Sequence, residues 1–292
     1  MKRRLLASVL AVGVTVALAA CSAPTDPATD GELRIVTSTN AYGDLAATIA
    51  GPDAVITSII DDPSADPHGF EANPRVQLEL ARADLVIANG GGYDDFVDEM
   101  LEASGNTAAV VLHAVDVADV DVDANEHVWY DYATVSAFVD EIAAALDGLR
   151  SDEQRAARVA DLQDGIAGLE QRVTALAVEH SGAGVIVTEP VPLYLLNAAG
   201  LVDLTPGAFT AAIEEDTDVA PALLQEVLNL IPEASVVIVN GQTGGPQTDA
   251  VIDMAGEDDV PWFEVTETLP SGEDYVSWQS GLLDLLEDAL NR

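Results

Sequence analysis

Lysine occurs once in this 292-residue sequence, at position 2, and cysteine once, at position 21. A Walker A loop needs a lysine to reach the phosphates, so a single lysine beside the N-terminus excludes a P-loop ATPase. A single cysteine excludes an intrachain disulfide and leaves no thiolate pair for a metal. Basic residues are scarce throughout, 11 against 51 acidic ones, for a net charge of −40. A chain this acidic does not partner nucleic acid. The H-E-x-x-H pair of a helical zinc protease is also missing. The acidic excess solvates the surface and raises the local cation concentration, which fits cation handling and equally a halophile-like or aggregation-resistant surface.

The N-terminus opens with Met1-Lys2-Arg3-Arg4, continues through an uncharged apolar run over residues 5–17, and closes with Leu18-Ala19-Ala20-Cys21. That pattern predicts a secretory signal over residues 1–20, not a membrane span. Leu-Ala-Ala-Cys resembles the bacterial lipobox, in which cleavage exposes the cysteine for diacylation, so Cys21 is the expected lipidation site. Residues 1–20 hold three of the basic residues and none of the acidic ones, leaving 8 basic against 51 acidic, or −43. Residues 21–32 are small, polar and proline-containing, as expected of a flexible tether. With 49% hydrophobic residues the remainder can bury a sizeable core, and its length makes two domains the default.

Short β-branched runs at 33–37, 54–60, 84–89 and 108–112 alternate with helical patterns starting near 42, 74 and 94. Alternation of this kind predicts a parallel sheet, whose ligands bind beyond the strand C-terminal ends. From 151 to 179 apolar residues recur every three or four positions, predicting one long amphipathic helix, with Ser151 and Gln154 placed as a capping box. Alternation then resumes, with strands at 184–188, 235–240 and 262–265 and helices near 192, 220–229, 248 and 274. The expected organisation is an N-terminal α/β lobe over 33–150, a linking helix over 151–180 and a C-terminal α/β lobe over 181–292.

Two loops carry histidine in a ligand-like setting. Asp66-Pro67-His68-Gly69-Phe70-Glu71 sets an imidazole between carboxylates in a turn stiffened by proline. Asn125-Glu126-His127-Val128-Trp129-Tyr130-Asp131 sets a second just ahead of a helix that Asp131 can cap. Together these motifs resemble the cluster A-I substrate-binding lipoproteins of zinc and manganese ABC transporters, whose ligand motifs read like D-P-H-x-[YF]-E and N-P-H-x-W-x-D. The resemblance covers essentially the whole chain after the signal. It implies two similar α/β lobes with parallel sheets joined by one long α-helix, and a metal site in the inter-lobe cleft. It also implies His68 and His127 as first-lobe ligands and Glu189, in Thr188-Glu189-Pro190, as the third, where the family has His or Glu. Glu267 stands where the family usually has Asp, with Glu264 or a water as the alternative fourth donor. Glu126 replaces a common proline, and the histidine-rich loop of many zinc-specific members is missing. The implied activity is extracytoplasmic binding of a divalent transition metal, Mn or Zn, for delivery to a membrane permease, by a monomer held to the bacterial plasma membrane through its lipid.

Two imidazoles with two carboxylates suit a divalent ion with room for more than four donors, and carboxylate in place of a third imidazole tilts the cargo toward Mn. His113 and His180, at the ends of a predicted strand and helix, are given no ligand role, and Tyr93, Tyr194 and Trp129 are read as packing. Two rival readings use the same residues: a secreted metal-dependent hydrolase with a water at the fourth position, and an adhesin or structural lipoprotein in which the metal only stabilises the lobes.

Overall fold

Parallel strands need long crossovers, and this chain supplies them as helices. The computed structural model describes residues 32–65, 67, 69–70, 73–119 and 125–292. Cys21 and His68, with the expected signal over 1–20 and nearly all of the tether, lie outside the described residues. The first sheet comprises β1 (Leu33–Thr39), β2 (Ala54–Ile60), β3 (Leu85–Ala88) and β4 (Val110–His113), all parallel in the order β2-β1-β3-β4. The second comprises β5 (Gly184–Val187), β6 (Val202–Asp203), β7 (Val236–Asn240) and β8 (Trp262–Val265), parallel in the order β6-β5-β7-β8. The order is the same in both halves, so each sheet reverses direction between its first and third strands and opens a crevice there. β3 and β7 are buried along their whole length, which is why they read as unbroken apolar runs.

The helices are α1 (Asn40–Ala50), α2 (Pro74–Leu80), α3 (Phe96–Ser104), α4 (Tyr132–Leu149), α5 (Arg155–His180), α6 (Leu193–Ala198), α7 (Gly207–Glu214), α8 (Pro221–Leu230), α9 (Pro246–Glu257) and α10 (Tyr275–Leu290). One face of the first sheet packs on α2 and α3 through Val76, Leu80, Val97 and Leu101. One face of the second packs on α7, α8 and α9 through Phe209, Val227 and Val251. The other faces share a single core: Ile35 and Ile87 from the first sheet and Val187 and Ile238 from the second belong to one apolar cluster with residues of α1, α4, α5 and α10. Residues 33–292 are accordingly one compact unit.

The long helix is present as α5, 26 residues or about 39 Å. Its start corrects the sequence reading: it begins at Arg155, Gln154 has helical backbone angles, and no side chain caps it. Asp152 takes the capping role's partners instead, accepting from Gln154 N at 2.8 Å and pairing with Arg158. Three of the chain's 11 basic residues lie on this helix. Arg158 donates to Ile49 O and Ala50 O at the end of α1 (2.9 and 3.2 Å). Arg155 is buried and donates to Arg150 O at 2.9 Å. Arg172 reaches Ser280, Asp284 and Glu287 of α10.

Two elements go beyond the sequence reading. β6 has only two residues and so no periodicity, and α7 begins at Gly207 directly after Thr205-Pro206, a dipeptide that reads as a break.

Candidate metal centre

His127 projects from the loop between β4 and α4, just before a single 3-10 turn over Val128–Tyr130. Asp131 caps α4, its carboxylate accepting from Thr134 N at 3.1 Å, so the chain direction on leaving this loop is fixed. The imidazole is fully buried, with the Trp129 ring 5.1 Å and the Tyr93 ring 6.0 Å from its centre. Asn125 sets its tautomer. The Asn125 amide NH₂ donates to Pro190 O (2.9 Å), which turns Oδ1 toward His127, where it accepts from the backbone N (3.0 Å) and meets Nδ1 at 2.7 Å. An amide oxygen can only accept, so Nδ1 carries the proton, and in the neutral ring Nε2 presents its lone pair inward.

The second lobe contributes carboxylates held by neutral donors. Glu189 follows β5 and Glu267 follows β8, and both are buried. Asn240, at the end of β7, divides its two amide protons between Glu189 Oε2 (2.8 Å) and Glu267 Oε1 (2.9 Å). The Thr243 hydroxyl donates to the other Glu189 oxygen, and Gln242 Oε1 accepts from Glu267 N. Gln242 also donates to Ala65 O (2.6 Å) and to Thr268 Oγ1 (2.7 Å), tying this loop to the one after β2. All of these groups orient the carboxylates without neutralising them.

The two lobes meet at His127. Its Nε2 lies 3.7 Å from Glu267 Oε2 and 3.7 Å from Glu214 Oε1. Ligand atoms of Glu126, His127 and Glu214 lie within 4.8 Å of one another, a spacing that one ion can span. His127 and Glu267 are wholly buried, while the Glu214 side chain is 18% exposed and lines a cavity of about 250 Å³ with Thr243 and Gln242. So many buried carboxylates close together raise the proton affinity of the group. Burial, with the charge of Glu267, pushes Glu189 up to about 7 against the hydrogen bonds of Thr243 and Asn240. Burial, with the charges of Glu126, Glu189 and Glu267, pushes Glu214 up to about 7. Burial alone would lower the pKa of His127, but hydrogen bonding to Glu267 and the charges of Glu267, Glu126 and Glu214 hold it above 6.5. A pocket lined by one imidazole and several desolvated carboxylates takes up positive charge, as protons or as a divalent ion.

Of the expected site residues, the structure brings His127, Glu189 and Glu267 together. Glu264, the alternative fourth donor, is exposed on β8, whereas Glu267 is buried. Glu214 was not singled out, because in Glu214-Glu215-Asp216 it is one acid among three and the turn that selects it is tertiary. The orienting amides Asn125, Asn240 and Gln242 were missed for the same reason, although Asn240 ends a legible strand. Two tyrosines read as packing do more. Tyr194 donates to Asn125 O, and burial together with the charge of Glu267 and a hydrogen bond to it holds the Tyr93 hydroxyl well above its usual range. The glycines at 90–92, all with positive φ, make the tight turn that delivers Tyr93, and a Cβ on Gly90 would fall 2.8 Å from Val115. His113 pairs with Asp98 (3.0 Å) at the surface, and His180 ends α5, neither of them in the cluster.

The family described as "Zinc-uptake complex component A periplasmic" matches residues 35–289. The manganese-binding lipoprotein MntA of Halalkalibacterium halodurans is 25% identical over 274 residues, covering 88% of this chain and 89% of that protein. Among solved structures, the periplasmic zinc-binding protein TroA of Treponema pallidum superposes with a TM-score of 0.76 at 19% identity, over 90% of this chain and 100% of that one. FpvC of Pseudomonas aeruginosa, solved in complex with Mn²⁺, superposes with a TM-score of 0.73 at 18% identity, over 89% of this chain and 98% of that one. These superpositions establish the two-lobed fold.

Proposed function

This chain belongs to the family of the periplasmic zinc-uptake complex component A, and from that premise we propose that it captures one divalent transition metal between its lobes for an ABC permease. The observation that carries the reading is the convergence of His127 Nε2 from the first lobe with the buried carboxylate of Glu267 from the second, 3.7 Å apart. His127, Glu189 and Glu267 are the proposed ligands within the described residues, and His68 is the proposed fourth. The chain is a transport receptor and not an enzyme. It works outside the cytoplasm as a monomer, with residues 1–20 removed as a signal, Cys21 lipidated, residues 21–32 as tether, and lobes over 33–150 and 181–292 joined by 151–180. No helix among the described residues is long and apolar enough to cross a membrane.

The core shared by both sheets is apolar and includes none of the proposed ligands, which favours a receptor that stays folded when empty over a protein whose lobes need metal to hold together. It also resists wide opening. Solution scattering is expected to show almost no change in radius of gyration on metal loading, and a change of several ångströms would contradict this use of the cleft.

Carboxylate at Glu189, where an imidazole would favour zinc, supports Mn as the cargo, although Zn binds such a donor set tightly. Elemental analysis and competition calorimetry on the metal-stripped protein test the proposal. One Mn²⁺ or Zn²⁺ is expected per chain, with Glu189→His shifting the preference toward Zn²⁺ by about tenfold or more. Failure of the wild type to bind either ion would overturn the receptor reading.

A further inference from the structure

Glu214 stands at the same distance from His127 as the proposed ligand Glu267. Each places a carboxylate oxygen 3.7 Å from Nε2, and each comes from the second lobe. Two donors held about 2.1 Å from one ion are about 3.0 Å apart at a right angle and about 4.2 Å apart when opposed, so 3.7 Å fits a shared coordination sphere. Glu214 Oε1 is buried and accepts no hydrogen bond from the described residues, whereas both Glu189 oxygens have donors. An oxygen removed from water and given no donor is costly unless a cation completes it.

Topology supports the same assignment. In the first sheet the chain leaving the edge strand β2 carries His68, and the chain leaving β4 carries His127. In the second, which repeats the strand order, the chain leaving the edge strand β6 carries Glu214 at the end of α7, and the chain leaving β8 carries Glu267. By chain order, Glu214 is therefore the second-lobe counterpart of the first histidine motif.

We infer that Glu214 is a further protein ligand to the cargo ion, and that its added oxygen makes the site select a hard ion of high coordination number, Mn²⁺, over Zn²⁺. The inference rests on the receptor reading above. Zn²⁺ is satisfied by four donors and gains little from another carboxylate, whereas an ion that prefers six oxygen-rich positions gains a bond.

The test compares Glu214→Ala and Glu214→Gln with Glu215→Ala, which removes the adjacent exposed charge. Mn²⁺ and Zn²⁺ affinities are measured by calorimetry, and water access to bound Mn²⁺ by solvent-proton relaxation. Both Glu214 variants are expected to lose about tenfold or more in Mn²⁺ affinity and less than about threefold in Zn²⁺ affinity. Glu214→Ala should also raise the relaxation enhancement, because a water fills the vacated position, while Glu215→Ala changes neither. Unaltered Mn²⁺ affinity and relaxation in both Glu214 variants would overturn the inference, as would equal losses for both ions matched by Glu215→Ala, which would reduce the effect to surface charge. In either case a wild type that still binds one ion per chain leaves the receptor reading standing. A wild type that binds none removes both.

Discussion

Replacing His127 with alanine is expected to abolish tight binding of Mn²⁺ and Zn²⁺ alike, with a loss on the order of a thousandfold. Losing a group that merely orients a ligand costs roughly 10- to 100-fold, and His127 is a proposed ligand at the junction of the lobes. Its nitrogen is the only neutral donor among the described residues of the cluster, so the variant leaves carboxylates to hold the ion alone. The fold should survive. Asn125, the partner of the imidazole, keeps its bond to Pro190 O, and the core shared by the sheets is untouched. A destabilisation on the order of 1–3 kcal/mol is expected for the metal-free variant. Calorimetry beside thermal denaturation checks both halves. A variant that stays folded and binds metal like the wild type would remove His127 from the site.

The second large effect is a crossing of stability curves with pH. Glu189 and Glu214 are pushed up to about 7, and His127 is held above 6.5. For a carboxyl whose pKa is higher in the folded than in the unfolded chain, the folded form binds the extra proton between about 4.5 and 7, so stability falls as pH rises through that window. His127 acts in the same sense, since its contribution is complete below 6.5 and is lost as pH climbs through its folded value. The metal-free protein should therefore melt at a higher temperature at pH 5.5 than at pH 7.5. The metal-loaded protein should do the reverse, because the ion must displace those protons, and each displaced proton costs up to about tenfold in affinity per pH unit. With three groups titrating as one coupled cluster, affinity is expected to fall by at least about a hundredfold from pH 7.5 to 5.5. Melting curves at the two pH values, with and without Mn²⁺, decide it. Parallel shifts in the two forms would mean that the cluster is not the seat of the proton exchange.

The fold was largely open to reading because its strands are short, β-branched and separated by helical periods. β2 and β8 begin and end at the residues expected, and the whole second half was recognisable as a return of the first. Where reading failed, a tertiary contact made the choice. Ser151 and Gln154 have the spacing of a capping box, but Asp152 competes for the same amide and also pairs with Arg158. His127 was legible from its neighbours, since Trp129 and Asp131 flank it at spacings that the fold requires. Glu189 and Glu267 were legible only through resemblance, because a carboxylate in so acidic a chain carries no signal of its own. Glu214 lay beyond both routes. Its helix follows a two-residue strand, and the imidazole it meets, His127, lies 87 positions earlier in the chain.

The matching strand order of the two sheets has an evolutionary consequence. Two four-stranded units with one connectivity can arise by fusion of a duplicated gene, and in such an ancestor a single ion would sit on a two-fold axis, gripped twice by the same side chains. The present chain has broken that symmetry chemically. Its proposed imidazoles belong to the first half and its carboxylates to the second, so the ion meets a nitrogen wall on one side and an oxygen wall on the other. Divergence after duplication could then retune the choice of metal by altering one wall while the other kept its grip.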